Sequence, residues 1–177
     1  KTLVICALAF GENDVLAEVE RDYLTQLDEQ VLPDGVHYER SMMYHKLILE
    51  GMLRVELAYR SVGKVAPAKI VPKVRQMLDA MASIERGMGK TPFFNDAADG
   101  VAKECGPLAR ACRDVYGYEP DDAKTIFPES GFYKLYDGDA ALIFFAGEPG
   151  PSYMLGHAHC DLLSFELSVA GKPTIVN

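Results

Sequence analysis

The sequence predicts an α+β protein in which an all-helical part is followed by an antiparallel sheet. Three observations carry this reading. Up to about residue 115 apolar residues recur at helical spacing, residues 116–128 are polar and turn-rich, and beyond them short apolar runs alternate with turn signals. The expected division is therefore 1–115 helical, 116–128 linker and 129–177 sheet. A chain of 177 residues, 49% hydrophobic and 25% charged, can bury the core of one ordinary domain or parts of two. Its formal net charge of −8 argues against reading nucleic acid or an anionic membrane through a whole basic surface. No apolar run reaches the length of a membrane span, so no membrane insertion is expected. The four cysteines, Cys6, Cys105, Cys112 and Cys160, follow no metal-finger or redox spacing and read as buried free thiols.

Taken in order, residues 2–10 faintly imitate a signal peptide. They lack an initiator Met and a small-residue cleavage site, and read instead as the end of a core helix. The chain opens inside one apolar element and stops inside another at Asn177, so a piece of a longer protein is expected. Residues 14–31 place Val15, Leu16, Val19, Leu24 and Leu27 among many acids, an amphipathic helix with Asn13 or Asp14 as its cap. Pro33-Asp34-Gly35 forces a turn. From about Arg40 to Arg60 a second helix is apolar on nearly all sides, as an inner helix is. A third spans 69–86, with Pro72 in its first turn and Gly87 and Gly89 after its end. A fourth covers about 100–115, with Gly106-Pro107 as a point where it can split.

In the sheet part, residues 131–136 and 140–146 flank Asp137-Gly138-Asp139, a strong hairpin signal. The second arm is continuously apolar and is expected to be covered on both faces. After a loop at 147–155, Leu163, Phe165, Leu167 and Val169 alternate with Ser164, Glu166 and Ser168, the pattern of a half-buried strand. Extended back to Gly156, that strand would place His157, His159 and Asp161 on the apolar side. Gly171-Lys172-Pro173 turns the chain into a last strand over residues 174–177. There is no internal repeat.

The four histidines fall in two stretches, His37 and His45 around the start of the inner helix and His157 and His159 at the strand, which points to a site between the two parts. For each one the alternative is an ordinary polar residue satisfied by its neighbours. On a helix Tyr44 shares a face with Arg40, whose guanidinium favours the phenolate and eases proton transfer; the alternative is a tyrosine that plugs the core. His157-x-His159 reads as either a metal site or a proton-transfer site. A cupin-type barrel pairs such histidines with a following glutamate, but Glu166 lies an odd seven residues after His159 and faces the other way, which weakens that reading. Asp161 reads as a partner that orients an imidazole.

Three segments resemble the heparinase II/III family of polysaccharide lyases: Leu32-Pro33-Asp34-Gly35-Val36-His37-Tyr38-Glu39-Arg40-Ser41-Met42-Met43-Tyr44-His45, Phe93-Phe94-Asn95-Asp96, and Gly156-His157-Ala158-His159-Cys160-Asp161-Leu162-Leu163-Ser164-Phe165-Glu166-Leu167. They stand in the family's order and span most of the chain; the first and third are quite specific and the second is supportive. The resemblance implies an incomplete α/α toroid followed by antiparallel β-sandwich-like sheets, both truncated here, with polysaccharide bound in the cleft between them. It implies β-elimination of a glycan containing uronic acid. The C6 carboxylate is neutralised, a base removes the C5 proton, an acid protonates the departing O4, and an unsaturated sugar remains.

By position, Tyr44 matches the family's catalytic tyrosine, which protonates the leaving oxygen and for some stereochemistries also takes the C5 proton. His157 matches the catalytic histidine of the sheet domain, as base or as a group that helps neutralise the carboxylate. Arg40, His37, Glu39, His45 and Asn95 are expected to bind substrate. His159 matches a histidine that in some members ligates a structural zinc or similar ion with an acidic residue, a position that falls here at Asn177, a poorer ligand; no cofactor is otherwise required. The family's neutralising Asn/His group precedes Lys1 and a further histidine follows Asn177, so the chain alone is expected to be inactive and poorly stable. An acidic polysaccharide, heparan sulfate-like or alginate-like, is the expected partner, met in the periplasm, at the cell envelope or outside the cell. Despite the net acidity, Arg40, Lys46, Arg54, His37 and His45 are expected to make the local field positive. Two other readings stand beside this one: a non-catalytic glycan-binding or envelope-assembly protein on the same fold, and a cupin-type metalloenzyme.

Overall fold

The computed structural model describes residues 1–177 as five helices followed by five strands. The helices are α1 (Thr2–Phe10), α2 (Asn13–Gln30), α3 (Met42–Ser61), α4 (Ile70–Glu85) and α5 (Cys105–Tyr116). Helix α3 is the inner helix, packed against α1, α4 and α5. Its residues Leu49, Met52, Leu53 and Val55 join Val74, Met77, Leu78 and Leu108 in the larger of two cores. Helix α2 begins with Glu12 at its cap position and no capping side chain, so neither Asn13 nor Asp14 serves as expected; Asp14 instead sits in the first turn, where a carboxylate complements the helix dipole. Gly106 and Pro107 lie in the first turn of α5 rather than splitting a longer helix, because a proline there removes no intrahelical bond. Of the cysteines, only Cys112 is fully buried, and Cys6 and Cys160 are exposed.

The strands β1 (Ile126–Phe127), β2 (Phe132–Asp137), β3 (Ala140–Phe145), β4 (Phe165–Val169) and β5 (Lys172–Ile175) form one antiparallel sheet in chain order. Asp137 pairs with Ala140 across a turn in which Gly138 adopts φ 58°, as the hairpin signal requires. The β3 expectation is met on one face only. Ala141, Ile143 and Phe145 are buried, whereas Ala140, Leu142 and Phe144 are half-covered.

The buried face of the sheet packs on the helices through a second core: Val36, Met42, Ala80, Ile84, Met88 and Phe94 meet Phe127, Phe132, Ala141, Ile143 and Phe145. Phe94, Phe132 and Phe145 form a ring cluster with centroids 5.0 to 5.8 Å apart. Polar ties reinforce this seam. Lys134 Nζ donates to the Ile84 carbonyl at 2.8 Å and to that of Arg86, satisfying the open end of α4. Asp34 Oδ2 accepts from the backbone and hydroxyl of Ser130 at 2.7 and 2.9 Å. The turn that presents Asp34 needs Gly35, whose φ is 94° and where a Cβ would lie 2.4 Å from the Gln76 carbonyl oxygen.

Strand β4 reverses the expected parity. Glu166 and Ser168 are buried, at 2% and 0% exposure, while Phe165 and Val169 are exposed. Register explains it: Glu166 pairs with Ile143 and Ser168 with Ala141, so both turn toward the helices. They are tolerated there because each finds a partner. Glu166 Oε1 accepts from the Phe93 amide at 2.7 Å and the Asn177 amide at 3.3 Å, and Ser168 Oγ donates to the Met88 carbonyl at 2.6 Å. Burial still holds the Glu166 carboxyl above its ordinary value, against the pull of those two amides.

Candidate active site

The stretch from Gly156 to Asp161 is not a strand. Residues 146–164 form one long connection of successive turns between β3 and β4, as Gly147, Pro149, Gly150, Pro151 and Gly156 dictate by supplying turn conformations and removing ladder donors. Its base is closed by Leu163 N–H to the Phe145 carbonyl at 2.8 Å and Phe145 N–H to that of Ser164 at 3.0 Å. Its histidines are therefore placed by what the loop touches.

The residue it touches most fully is Asn95. Asn95 is wholly buried in the left-handed region, φ 51°, which asparagine adopts more readily than most residues. Its amide donates to Asp161 Oδ2 at 2.7 Å, its Nδ2 to the Arg40 carbonyl at 3.4 Å, and its Oδ1 accepts from the His159 amide at 3.2 Å. The middle segment of the sequence thus binds the first to the third. Asn95 is a buried structural pivot, and Asp161 holds Asn95 rather than an imidazole.

Above this pivot the rings of Tyr44 and His157 stack, with centroids 4.1 Å apart and planes 15° from parallel. Each ring has its own carboxylate. His157 Nδ1 lies 3.0 Å from Glu39 Oε2, and the Tyr44 hydroxyl donates to Asp96 Oδ2 at 3.0 Å. The second oxygen of Asp96 lies 3.9 Å from His159 Nε2. Partial burial, then the hydrogen bond to Asp96, then the charges of Asp96 and Glu39 raise the Tyr44 phenol above its ordinary value, which keeps it protonated.

This overturns the expected pairing of Tyr44 with Arg40. Helix α3 begins at Met42, and Arg40 precedes it with φ 53°, so the one-turn spacing does not apply. The Arg40 guanidinium turns away, donating to the carbonyls of Tyr38 and Glu129, both at 3.4 Å, with Glu148 at 3.9 Å. His37 and His45 are buried, at 2% and 0% exposure. His45 Nδ1 accepts from the His37 amide at 3.2 Å and its Nε2 donates to the Met77 carbonyl at 2.8 Å. Burial pushes the His45 imidazole down to about 4, and burial with the neighbouring His45 and His157 pushes His37 down to about 3. The expected positive cluster is also absent: both histidines are neutral, Lys46 is buried against Glu85 at 2.8 Å, and Arg54 is paired with Glu50 at 2.7 Å.

The residues expected to hold a metal do not fit one on their own. No three His, Cys, Asp or Glu side chains gather at ligating distance. The Asn177 side-chain amide donates to the Phe93 carbonyl at 3.3 Å, and the nearby acid for His159 is Asp96, which already serves Tyr44. Asp96 is the site residue that sequence reasoning passed over. The signal for it was its place in Phe93-Phe94-Asn95-Asp96, whose last two residues both take positive φ, 51° and 58°.

Comparison with known proteins bears on the family and the fold. Residues 21–124 match the family described as Heparinase II/III N-terminus, and residues 119–177 match Heparinase II/III-like, C-terminal. Among solved structures, the heparinase III BT4657 gene product is 20% identical with a TM-score of 0.77, over 98% of this chain and 31% of that one. A second heparinase III is 14% identical with a TM-score of 0.78, over 98% of this chain and 33% of that one. The heparan sulfate lyase HepC from Pedobacter heparinus is 21% identical with a TM-score of 0.68, over 97% of this chain and 30% of that one. No curated protein matches the chain, which spans about a third of the length of these structures. No helix is long and apolar enough to cross a membrane. With the N-terminal match alone covering more than half of its residues, the chain belongs to the heparinase II/III family.

Proposed function

We propose that the protein is a polysaccharide lyase that cleaves a uronic acid-containing glycan by β-elimination, with Tyr44 as the acid and His157 as the base. The stacked pair of rings, one from the inner helix and one from the sheet-side loop, carries this reading. Two proton-transfer groups 4.1 Å apart, centroid to centroid, suit a reaction whose proton leaves C5 and whose proton donor is needed at the neighbouring O4. The imidazole takes the C5 proton. The C5–H electron pair becomes the C4–C5 double bond as the C4–O4 bond breaks, and the Tyr44 hydroxyl delivers its proton to O4. The raised phenol favours this assignment, because a tyrosine kept protonated is ready to act as the acid. Neutralisation of the C6 carboxylate is left to groups other than the buried His37, His45 and Asn95.

The relatives are named as heparinase III and heparan sulfate lyase, which makes heparan sulfate the first polymer to test and alginate the second. The walls of the cleft are residues 1–115 and 129–177, and the setting is the periplasm, the cell envelope or the exterior. Incubating the full-length protein with heparan sulfate, heparin and alginate while following the ultraviolet absorbance of the new double bond tests the proposal. Absorbance that rises with wild type and not with Tyr44→Phe is expected. Silence on every uronate polymer would sink it, and binding without absorbance would establish the non-catalytic reading instead.

A further inference from the structure

We infer that Glu39 is a positioning residue that fixes the tautomer and orientation of His157, leaving the Nε2 lone pair of the imidazole free to face the substrate. The inference deepens the lyase proposal and rests on its reading of His157 as the base. Glu39 Oε2 lies 3.0 Å from His157 Nδ1, and the glutamate side chain is only 14% exposed. An ionised carboxylate accepts hydrogen bonds and donates none, so the neutral ring beside it must carry its hydrogen on Nδ1. That leaves Nε2 as the acceptor.

Glu39 is built to hold this position. The backbone on either side is pinned: Val31 and His37 form a β-bridge, the Tyr38 amide donates to the Gln30 carbonyl at 2.9 Å, and the Arg40 amide donates to the His37 carbonyl at 2.9 Å. The other imidazole nearby does not compete. His37 Nδ1 is 4.0 Å from the same carboxylate oxygen, and that ring is buried and neutral. Tyr44, stacked on the face of His157, restrains the ring from tilting away. Charge also argues against Glu39 as a direct ligand of the glycan, since its carboxylate and the substrate's repel each other. Glu39 therefore acts through His157.

The test is ring nitrogen NMR of His157 in the full-length protein, above the pH at which the ring titrates, alongside steady-state kinetics. Wild type is expected to show the Nδ1–H tautomer and Glu39→Ala a shift toward Nε2–H. Glu39→Ala is expected to lower kcat about 100-fold with KM changed less than about 2-fold. Glu39→Gln, nearly isosteric and still able to accept from Nδ1–H through its amide oxygen, is expected to keep the wild-type tautomer and recover most of kcat. An Nε2–H tautomer in wild type overturns the inference. So does a Glu39→Ala protein with unchanged tautomer, or one whose KM rises while kcat holds. If wild type cleaves no uronate polymer, the lyase proposal fails separately, and the tautomer comparison still decides the role of Glu39.

Discussion

The two rings that meet at the site come from regions built in opposite ways. Tyr44 stands on α3, where Met42, His45, Lys46 and Leu49 are all at 2% exposure or less. His157 stands on the 146–164 loop, where Tyr153, Leu155, Leu162 and Leu163 are all more than half exposed. The helix is located by a packed core, in which every neighbour depends on every other. The loop is located by a few polar contacts: Asn95 and Glu39 beneath it, Glu148 with Arg40 at 3.9 Å, and Tyr153 with Glu29 at 2.5 Å. One wall of the site is therefore set by shape and the other by hydrogen-bond geometry. Apolar truncations should damage the first and polar substitutions the second.

The largest effect expected is on chemistry alone. Tyr44→Phe removes the proton donor but leaves the ring on the helix, so lyase activity in the full-length protein should fall about 1,000-fold. Its unfolding midpoint should register no more than the loss of one hydrogen bond, about 1 kcal/mol. On the helical wall, Leu49→Ala opens a cavity in the larger core and should cost about 2–5 kcal/mol in chemical denaturation. On the other wall, Asn95→Ala leaves the Arg40 carbonyl and the His159 amide unpaired, for about 1–3 kcal/mol. It should also disperse the His157 ring signals, which Leu49→Ala should leave in place.

On the helical wall, two buried histidines should make stability depend on pH below neutrality. His37 and His45 have an ordinary value of 6.5 and are depressed to about 3 and about 4 in the fold. Below pH 6.5 the unfolded chain takes up protons that the folded chain refuses. The contribution of these two groups is thus complete above pH 6.5 and declines as pH falls toward 4, by up to about 1.4 kcal/mol per pH unit for each histidine. Urea titrations across that window should show the decline, and His45→Gln should make it shallower. The smallest effect is Leu155→Ala in the exposed loop, expected within about 0.5 kcal/mol of wild type. A large loss there would show that the loop is held by apolar packing after all.

Much of the fold was legible in local pattern. Helical spacing located α2, α3 and α4 to within a few residues, and Asp137-Gly138-Asp139 located the hairpin. The misreadings share a cause. The alternation of His157, His159 and Asp161 looked like a strand because spacing carries no information about φ, and the prolines and glycines just before it set the chain turning. The parity of β4 was reversed because composition does not say that the Phe93 amide and the Met88 carbonyl wait for Glu166 and Ser168 on the helix side. Arg40 was placed on the helix because nothing in its identity announces φ 53°.

By itself the sequence determined most of the helices and the hairpin, the order of helices before strands, and, through motif resemblance, the two residues, Tyr44 and His157, most worth watching. Those follow from interactions within a few residues, such as apolar periodicity, turn chemistry and motif identity. Only the tertiary structure decided what each ring answers to. Glu39 meets His157 across 118 residues and Asp96 meets Tyr44 across 52. Contacts at that separation exist because two cores pack the intervening chain, and no local pattern encodes the result.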